Sequence, residues 1–250
     1  VKVWSAYSIK GGVGKTALAV NLAYALREAG QRTLLVDLDP QGAAAFYFRV
    51  APAATNAVTK KGRMMGDRLR ENIRESDFPG LDVLPSNLAY RNFDLMLDRM
   101  KKSRKQLRRL LRTLEADYDY AVLDCPPNIT LLSENVFRAS DRVIVPVIPT
   151  TLSLRTYEQL RDFFRGEDLP VGRIVPFFSM VQSRNRLHAD TMTALRGAHP
   201  DFLATIIPFS AEIEKMGLHR KPVLAYAPPD SRARAYQALC DELRARETAP

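Results

Sequence analysis

Cysteine is nearly absent, with only Cys125 and Cys240 in 250 residues. Two thiols at unrelated positions exclude a disulfide framework, and neither belongs to a paired metal-binding motif. Cys125 sits inside an apolar run and reads as a buried core thiol. Long apolar runs are missing too. The longest are strand-like and far short of the ~20 residues a membrane-spanning helix needs, and no signal peptide precedes the first, so a cytosolic chain is expected. Acidic residues are scarce beside basic ones, 28 against 37, leaving a formal net charge of +9. That excess points to polyanionic partners, DNA first and an acidic membrane surface second. At 46% hydrophobic and 26% charged, the chain suits one globular domain over residues 1–250, with enough length to bury a sizeable core.

What is present begins with Lys10-Gly11-Gly12-Val13-Gly14-Lys15-Thr16, set between an apolar run (Val3 to Ile9) and a helical pattern (Ala17 to Ala29). Glycines let consecutive N–H groups turn inward as a nest for phosphate oxygens at a helix N-terminus, where the helix dipole also favours anions. The cradle comprises Gly11, Gly12, Val13, Gly14, Lys15, Thr16 and Ala17. Its natural occupant is a triphosphate, with Lys15 bridging the β- and γ-phosphates and the Thr16 hydroxyl on a magnesium ion. Lys10 is an extra cation ahead of the first glycine, and its position at a phosphate-facing turn calls for an anion.

Val1 to Ile9 reads as the first strand, and the helix after Thr16 ends near Gly30, a good C-cap residue. Gln31 to Leu38 is a continuous apolar strand that carries Asp37 and Asp39 to its C-terminal end, the ligand edge of open α/β sheets. Either aspartate also suits capping of the following helix. The stretch from Val50 to Gly66 lacks periodicity and reads as a surface loop, with Lys60, Lys61 and Arg63 solvated or touching a partner. Leu81 to Leu84 is a short strand. Asn92 to Glu115 is the most basic segment, and Leu107, Leu110, Leu111 and Leu114 predict an amphipathic helix whose cations are either solvated or meet a polyanion.

Tyr120 to Asp124 is an apolar strand closing on an aspartate, as a Walker B element does to hold magnesium through water. Asn128 is the expected cap of a helix to Arg138. Further strands are expected at Arg142 to Ile148 and Ile174 to Val181, and further helices at Leu152 to Phe164 and Ser231 to Arg246. His188 reads as a surface or helix-start residue. The alternation predicts a three-layer α/β P-loop fold with a mostly parallel twisted sheet and helices on both faces.

The blocks KGGVGKT (10–16), LLVDLDPQG (34–42) and YDYAVLDCPP (118–127), supported by segments 140–154 and 206–223, resemble the deviant Walker A ATPases of the ParA/MinD group, nearest to small Soj-like ParA proteins. The resemblance implies catalytic roles for Lys10, Lys15 and Asp39, and a magnesium shell organised by Thr16, Asp39 and Asp124. It places Pro208 beside the adenine base. A basic residue at the Arg184 position contributes to nonspecific DNA binding in Soj-like proteins, and Arg186, Lys215, Arg220 and Lys221 extend the candidate patch. Glu212 stands where the family often has an arginine. The cysteine count argues against the related iron–sulfur branch.

The resemblance further implies an ATP-state homodimer with Lys10 acting across the seam, nonspecific DNA as a partner, and an activating adaptor of ParB type or a cargo-bound protein. It implies a nucleoid-associated, cytoplasmic location. No exposed apolar face marks the last helix as the membrane-targeting device of MinD relatives, so no stable membrane association is expected. Three alternatives stay open at this point: a metabolic P-loop ligase that phosphorylates a carboxylate, a MinD-like membrane-associated ATPase, and a binding protein that uses ATP as a structural ligand.

Overall fold

A computed structural model describes residues 1–51, 66–86 and 103–248. Its frame is an eight-stranded sheet in the order β3-β4-β2-β5-β1-β6-β7-β8. The strands are β1 (Lys2–Ala6), β2 (Thr33–Asp37), β3 (Arg74–Glu75), β4 (Leu81–Leu84), β5 (Tyr120–Asp124), β6 (Arg142–Val147), β7 (Ile174–Val181) and β8 (Ile206–Pro208). Every pairing is parallel except β3 with β4. After β1 the chain moves to β2 on one side, and after β5 it crosses to β6 on the other. The C-terminal end of β1 therefore opens on the crevice where ligands bind in such sheets.

Helices cover both faces. On one face lie α1 (Lys15–Glu28), α2 (Ala43–Tyr47) and the C-terminal α10 (Ala235–Thr248), closing a core that includes Trp4, Leu22, Leu35, Val122, Phe177 and Leu239. On the other, α4 (Gln106–Arg112), α5 (Leu131–Ala139) and α6 (Thr151–Gly166) bury Tyr7, Leu34, Leu123, Phe137, Phe164 and Phe178. The short α3 (Gly66–Asn72) contributes Leu69 to that second core. The remaining helices are α7 (Arg186–Ala198), α8 (Ala211–Glu214) and α9 (Met216–His219). The strands of the middle of the sheet are largely apolar because side chains of both pleats are covered, and β2 and β5 are buried along their whole length. Both cysteines are free and buried.

Several expected boundaries move for physical reasons. Thr130, not Asn128, caps α5. Its side chain takes the backbone N–H of Ser133 while the Ser133 hydroxyl takes that of Thr130, a reciprocal capping box. The last helix starts at Ala235, after a 3-10 turn at Arg232–Arg234 whose first residue follows the cap Ser231. His188 does open a helix but is buried, and its Nδ1 accepts the backbone N–H of Gln182 at 3.1 Å. The leucine face of the basic segment is buried as expected, at Leu107, Leu110 and Leu111 in α4, which follows a 3-10 turn (Ser103–Lys105), and at Leu114 in the turn after it. The expected loop over residues 52–65, with Lys60, Lys61 and Arg63, and the stretch 92–102 of the basic helix lie outside the described residues.

The two ends of the chain are tied by one carboxylate. Glu247 accepts from Lys2 Nζ at 2.8 Å, Trp4 Nε1 at 2.7 Å and the Tyr120 hydroxyl at 2.7 Å. Burial pushes its pKa up, but those three donors outweigh it and hold the carboxyl below its ordinary value. A depressed folded pKa gives stability that is present above the unfolded value, about 4.3 for glutamate, and lost as pH falls through the folded one. Glu247→Ala is expected to lower stability by about 2–4 kcal/mol at neutral pH, a fall in Tm of roughly 5–12 °C. The gap should narrow below about pH 4, and thermal melts across pH check both statements.

Candidate nucleotide site

The loop after β1 is shaped by backbone that side chains resist. Gly12 and Gly14 have φ of 71° and 93°, in the left-handed region that only glycine enters without strain. Strand β7 braces this turn from below, since the Ser179 hydroxyl donates to the carbonyl of Val13 at 3.1 Å. No motif in the sequence marked Ser179. It is visible only once β7 lies two strands from β1. Gly11 and Gly12 are exposed, while Thr16 and Ala17 at the start of α1 are half-buried. The open N–H groups of the loop thus sit at the positive end of a 14-residue helix.

Lys15 is 7% exposed. Its ammonium donates to the carbonyl of Lys10 at 3.1 Å. Burial pushes its pKa down, opposed by the nearby charges of Asp124 and Asp39. Lys10 is half-buried and makes no side-chain ion pair among the described residues.

Sheet register gathers the acids. Asp124 pairs with Ala6 on β1 and with Asp37 on β2, so both aspartates stand in the row where β1 gives way to the loop. Asp37 is fully buried and stays there because it caps. Its oxygens accept the backbone N–H of Ala45 at 2.9 Å and of Asp39 at 3.3 Å, fixing α2 against the sheet. Burial still pushes its pKa up to about 6. Asp39 is half-buried and turns the chain through a bond from the backbone N–H of Gln41 at 2.9 Å. The predicted loop-holding role of Asp37 and its capping role are therefore one arrangement.

Asp124 differs from both. It is 0% exposed, and neither carboxylate oxygen meets a hydrogen-bond donor. Burial raises its pKa well above the usual carboxylate range, Asp37 and Asp39 add to the shift, and Thr16 and Lys15 oppose it only in part. A buried acid that Lys15 and Thr16 compensate only in part is an arrangement that a bound cation would complete. The donor set, hydroxyl and carboxylate oxygens with few protein ligands, fits magnesium, which would take the rest of its shell from water and phosphate. No group of three or more His, Cys, Asp or Glu side chains placed to hold a metal ion by themselves is found among the described residues.

Pro208 ends β8 and helps line an open groove of about 650 Å³ with Val181, Gln182, Arg184 and Phe209. The groove begins where β7 ends, just beyond Ser179 and Met180, whose side chains lie against Gly14. Of the basic residues singled out, Arg184 lines this groove, and Arg186 is exposed with a loose 3.9 Å pair to Asp190. Lys215 and Arg220 are exposed and Lys221 is half-buried. Arg220 stacks on Phe46 at 4.5 Å from the ring centre. The first pair follows β7 and the other three follow β8.

A family model described as an AAA domain matches residues 1–166. The chain is 30% identical over 246 residues to the chromosome partitioning protein ParA of Myxococcus xanthus, covering 96% of this chain and 86% of that one. The chain belongs to the ParA family of P-loop ATPases. It is also 29% identical to the sporulation initiation inhibitor protein Soj of Bacillus subtilis over 94% of this chain and 95% of that protein. Among solved structures, cobyrinic acid a,c-diamide synthase from Mycobacterium smegmatis, with bound ATP analogue and magnesium, superposes with a TM-score of 0.80 at 26% identity, covering 100% of this chain and 96% of that one. No helix among the described residues of this ParA-family chain is long and apolar enough to cross a membrane.

The sign of the Asp124 shift makes a prediction. A carboxyl whose folded pKa is raised destabilises the fold as pH rises from its unfolded value, about 3.9, toward the folded one. In chelator, Asp124→Asn should melt several degrees above the natural protein at pH 7 and match it near pH 4. Circular dichroism melts at the two pH values test this, and equal melting temperatures at pH 7 contradict it.

Proposed function

We propose that this chain is an ATP-driven dimerising switch that binds DNA without sequence preference in its ATP state and releases it on hydrolysis, so as to partition or position a cargo. The observation that carries the reading is the division of labour between two lysines. Lys15 is drawn into the loop and held by the carbonyl of Lys10, while the Lys10 side chain is left without an ion pair among the described residues.

In this reading the N–H groups of Gly11 to Ala17 hold the phosphates, Lys15 bridges the last two, and Thr16 with Asp124 holds magnesium. Asp39 orients the attacking water, and Pro208 packs beside the base. When magnesium is bound it screens charge on the phosphate oxygens. Lys10 of each subunit reaches phosphates held by the other, supplying positive charge where negative charge grows as the γ-phosphate leaves. Nucleotide state and assembly state then become one variable.

A dimer doubles the cationic surface, including Arg184, Arg186, Lys215, Arg220 and Lys221. Because phosphate contacts release counterions together, it holds DNA far more tightly than a monomer. The slow turnover, the stimulating adaptor and the residence on the nucleoid within the cytoplasm follow from this scheme. The names of the Soj and ParA relatives support it. The name of the Mycobacterium smegmatis structure favours a second reading, an amide-forming ligase whose phosphate release depends on a carboxylate substrate.

Affinity for unrelated DNA fragments, measured with ATP, with ADP and without nucleotide, separates these. The switch predicts at least about tenfold tighter binding with ATP, and equal affinity in all three states or a strong preference for one sequence sinks it. Lys10→Ala should keep ATP binding and lose dimerisation in sedimentation runs with magnesium and ATP. A dimer of normal strength would remove the role of Lys10 across the seam.

A further inference from the structure

A second cavity lies at the opposite edge of the sheet. It has a volume of about 500 Å³ and is lined by Arg142, Arg161, Arg246, His199, Asp201 and Gly172, among others. Arg142 opens β6, Arg161 comes from α6 and Arg246 from α10, while His199 and Asp201 follow α7. These are the N-terminal ends of the strands. The nucleotide loop is at the C-terminal ends, roughly 17 Å away along a five-residue strand.

The carboxylates near this cavity are partly committed. Asp201 accepts the Tyr157 hydroxyl at 2.7 Å and Arg161 at 2.8 Å on one oxygen, while its other oxygen is buried without a hydrogen-bond partner. Glu242 accepts the backbone N–H groups of Ala204 and Thr205, both at 2.8 Å, which leaves Arg246 a loose ion pair at 3.6 Å. Glu158 stands 4.0 Å from the other side of His199.

Arg246 also donates to the carbonyl of Asp201 at 3.0 Å. Arg142 makes one long bond, 3.5 Å, to the carbonyl of Arg246. Arg142 and Arg246 thus line one concave site, joined through the Arg246 carbonyl, and the loose Glu242 contact is the one ion pair that either makes among the described residues. Like charges in that position repel, and an anion bridging them removes the repulsion while each planar fork meets separate oxygens.

We propose that this cavity is a second ligand site, for a small phosphorylated molecule gripped by Arg142 and Arg246 and closed at the back by Arg161. The volume is that of a small-molecule site. Its concave shape favours a compact ligand over duplex DNA, whose convex backbone does not reach the inner arginine. A ligand here joins α6, α7, α10 and the start of β6, so it tightens the sheet edge remote from the nucleotide. The site stands apart from the proposed switch and does not depend on it.

Inorganic pyrophosphate is the probe, titrated calorimetrically into the full chain at low salt. The natural protein is expected to take two equivalents, Lys15→Ala one, and the double variant Arg142→Gln, Arg246→Gln one, with ATP binding in the double variant unchanged. In the Lys15→Ala background Arg142→Gln should weaken the remaining site roughly tenfold. That single change removes one long bond, so it keeps the test open should the double variant not fold. A single equivalent in the natural protein that disappears in Lys15→Ala overturns the proposal. So does complete displacement of the second equivalent by a short duplex DNA, which would make these arginines backbone contacts.

Discussion

One buried carboxylate without a partner governs the structure's chemistry. Asp124 is wholly enclosed, and no donor satisfies either oxygen. Proteins rarely leave a buried ionisable group in that condition, because taking a charge out of water without pairing it costs several kcal/mol. Among the described residues Asp124 is the carboxylate with both oxygens in that condition, at the end of β5 beside Lys15, Thr16 and the loop.

The remaining architecture keeps that place intact. Parallel register sets Asp37 and Asp124 level with the end of β1, so two acids and the phosphate loop cannot drift apart without breaking the central ladder. Asp37 satisfies itself by capping α2, whereas neither oxygen of Asp124 has a hydrogen-bond partner. Ser179 on β7 anchors the underside of the loop. At the far edge of the sheet, Glu247 ties the C-terminal helix to β1 and β5, so the two strands that carry the loop and the acid share one clamp. The membership in the ParA family and the arrangement at the site are thus consistent at every level, from glycine dihedrals to strand order.

Much of this was legible in the sequence because it is encoded locally. KGGVGKT contains its own geometry, since φ values of 71° and 93° at Gly12 and Gly14 demand glycine. The strands that deliver Asp37 and Asp124 declare themselves as apolar runs ending in an acid, and the leucines of the basic segment have helical spacing. What sequence reasoning missed is long-range or reciprocal. Ser179 lies 166 positions from the carbonyl it holds. Thr130 outcompeted Asn128 as a cap because only Thr130 has Ser133 three residues on to return the bond. His188 lies in the first turn of a helix, one of the two positions expected for it, but its burial against the Gln182 N–H has no local signal. Arg142, Arg161 and Arg246 belong to three distant segments, and no motif joins them.

The central claim is that the unpaired charge of Asp124 is completed by magnesium arriving with ATP. Calorimetric titration of ATP with and without magnesium, in the natural protein and in Asp124→Asn, tests it most directly. The account predicts that magnesium tightens ATP binding by at least about tenfold in the natural protein and adds little in Asp124→Asn. An equal magnesium effect in both proteins would contradict it.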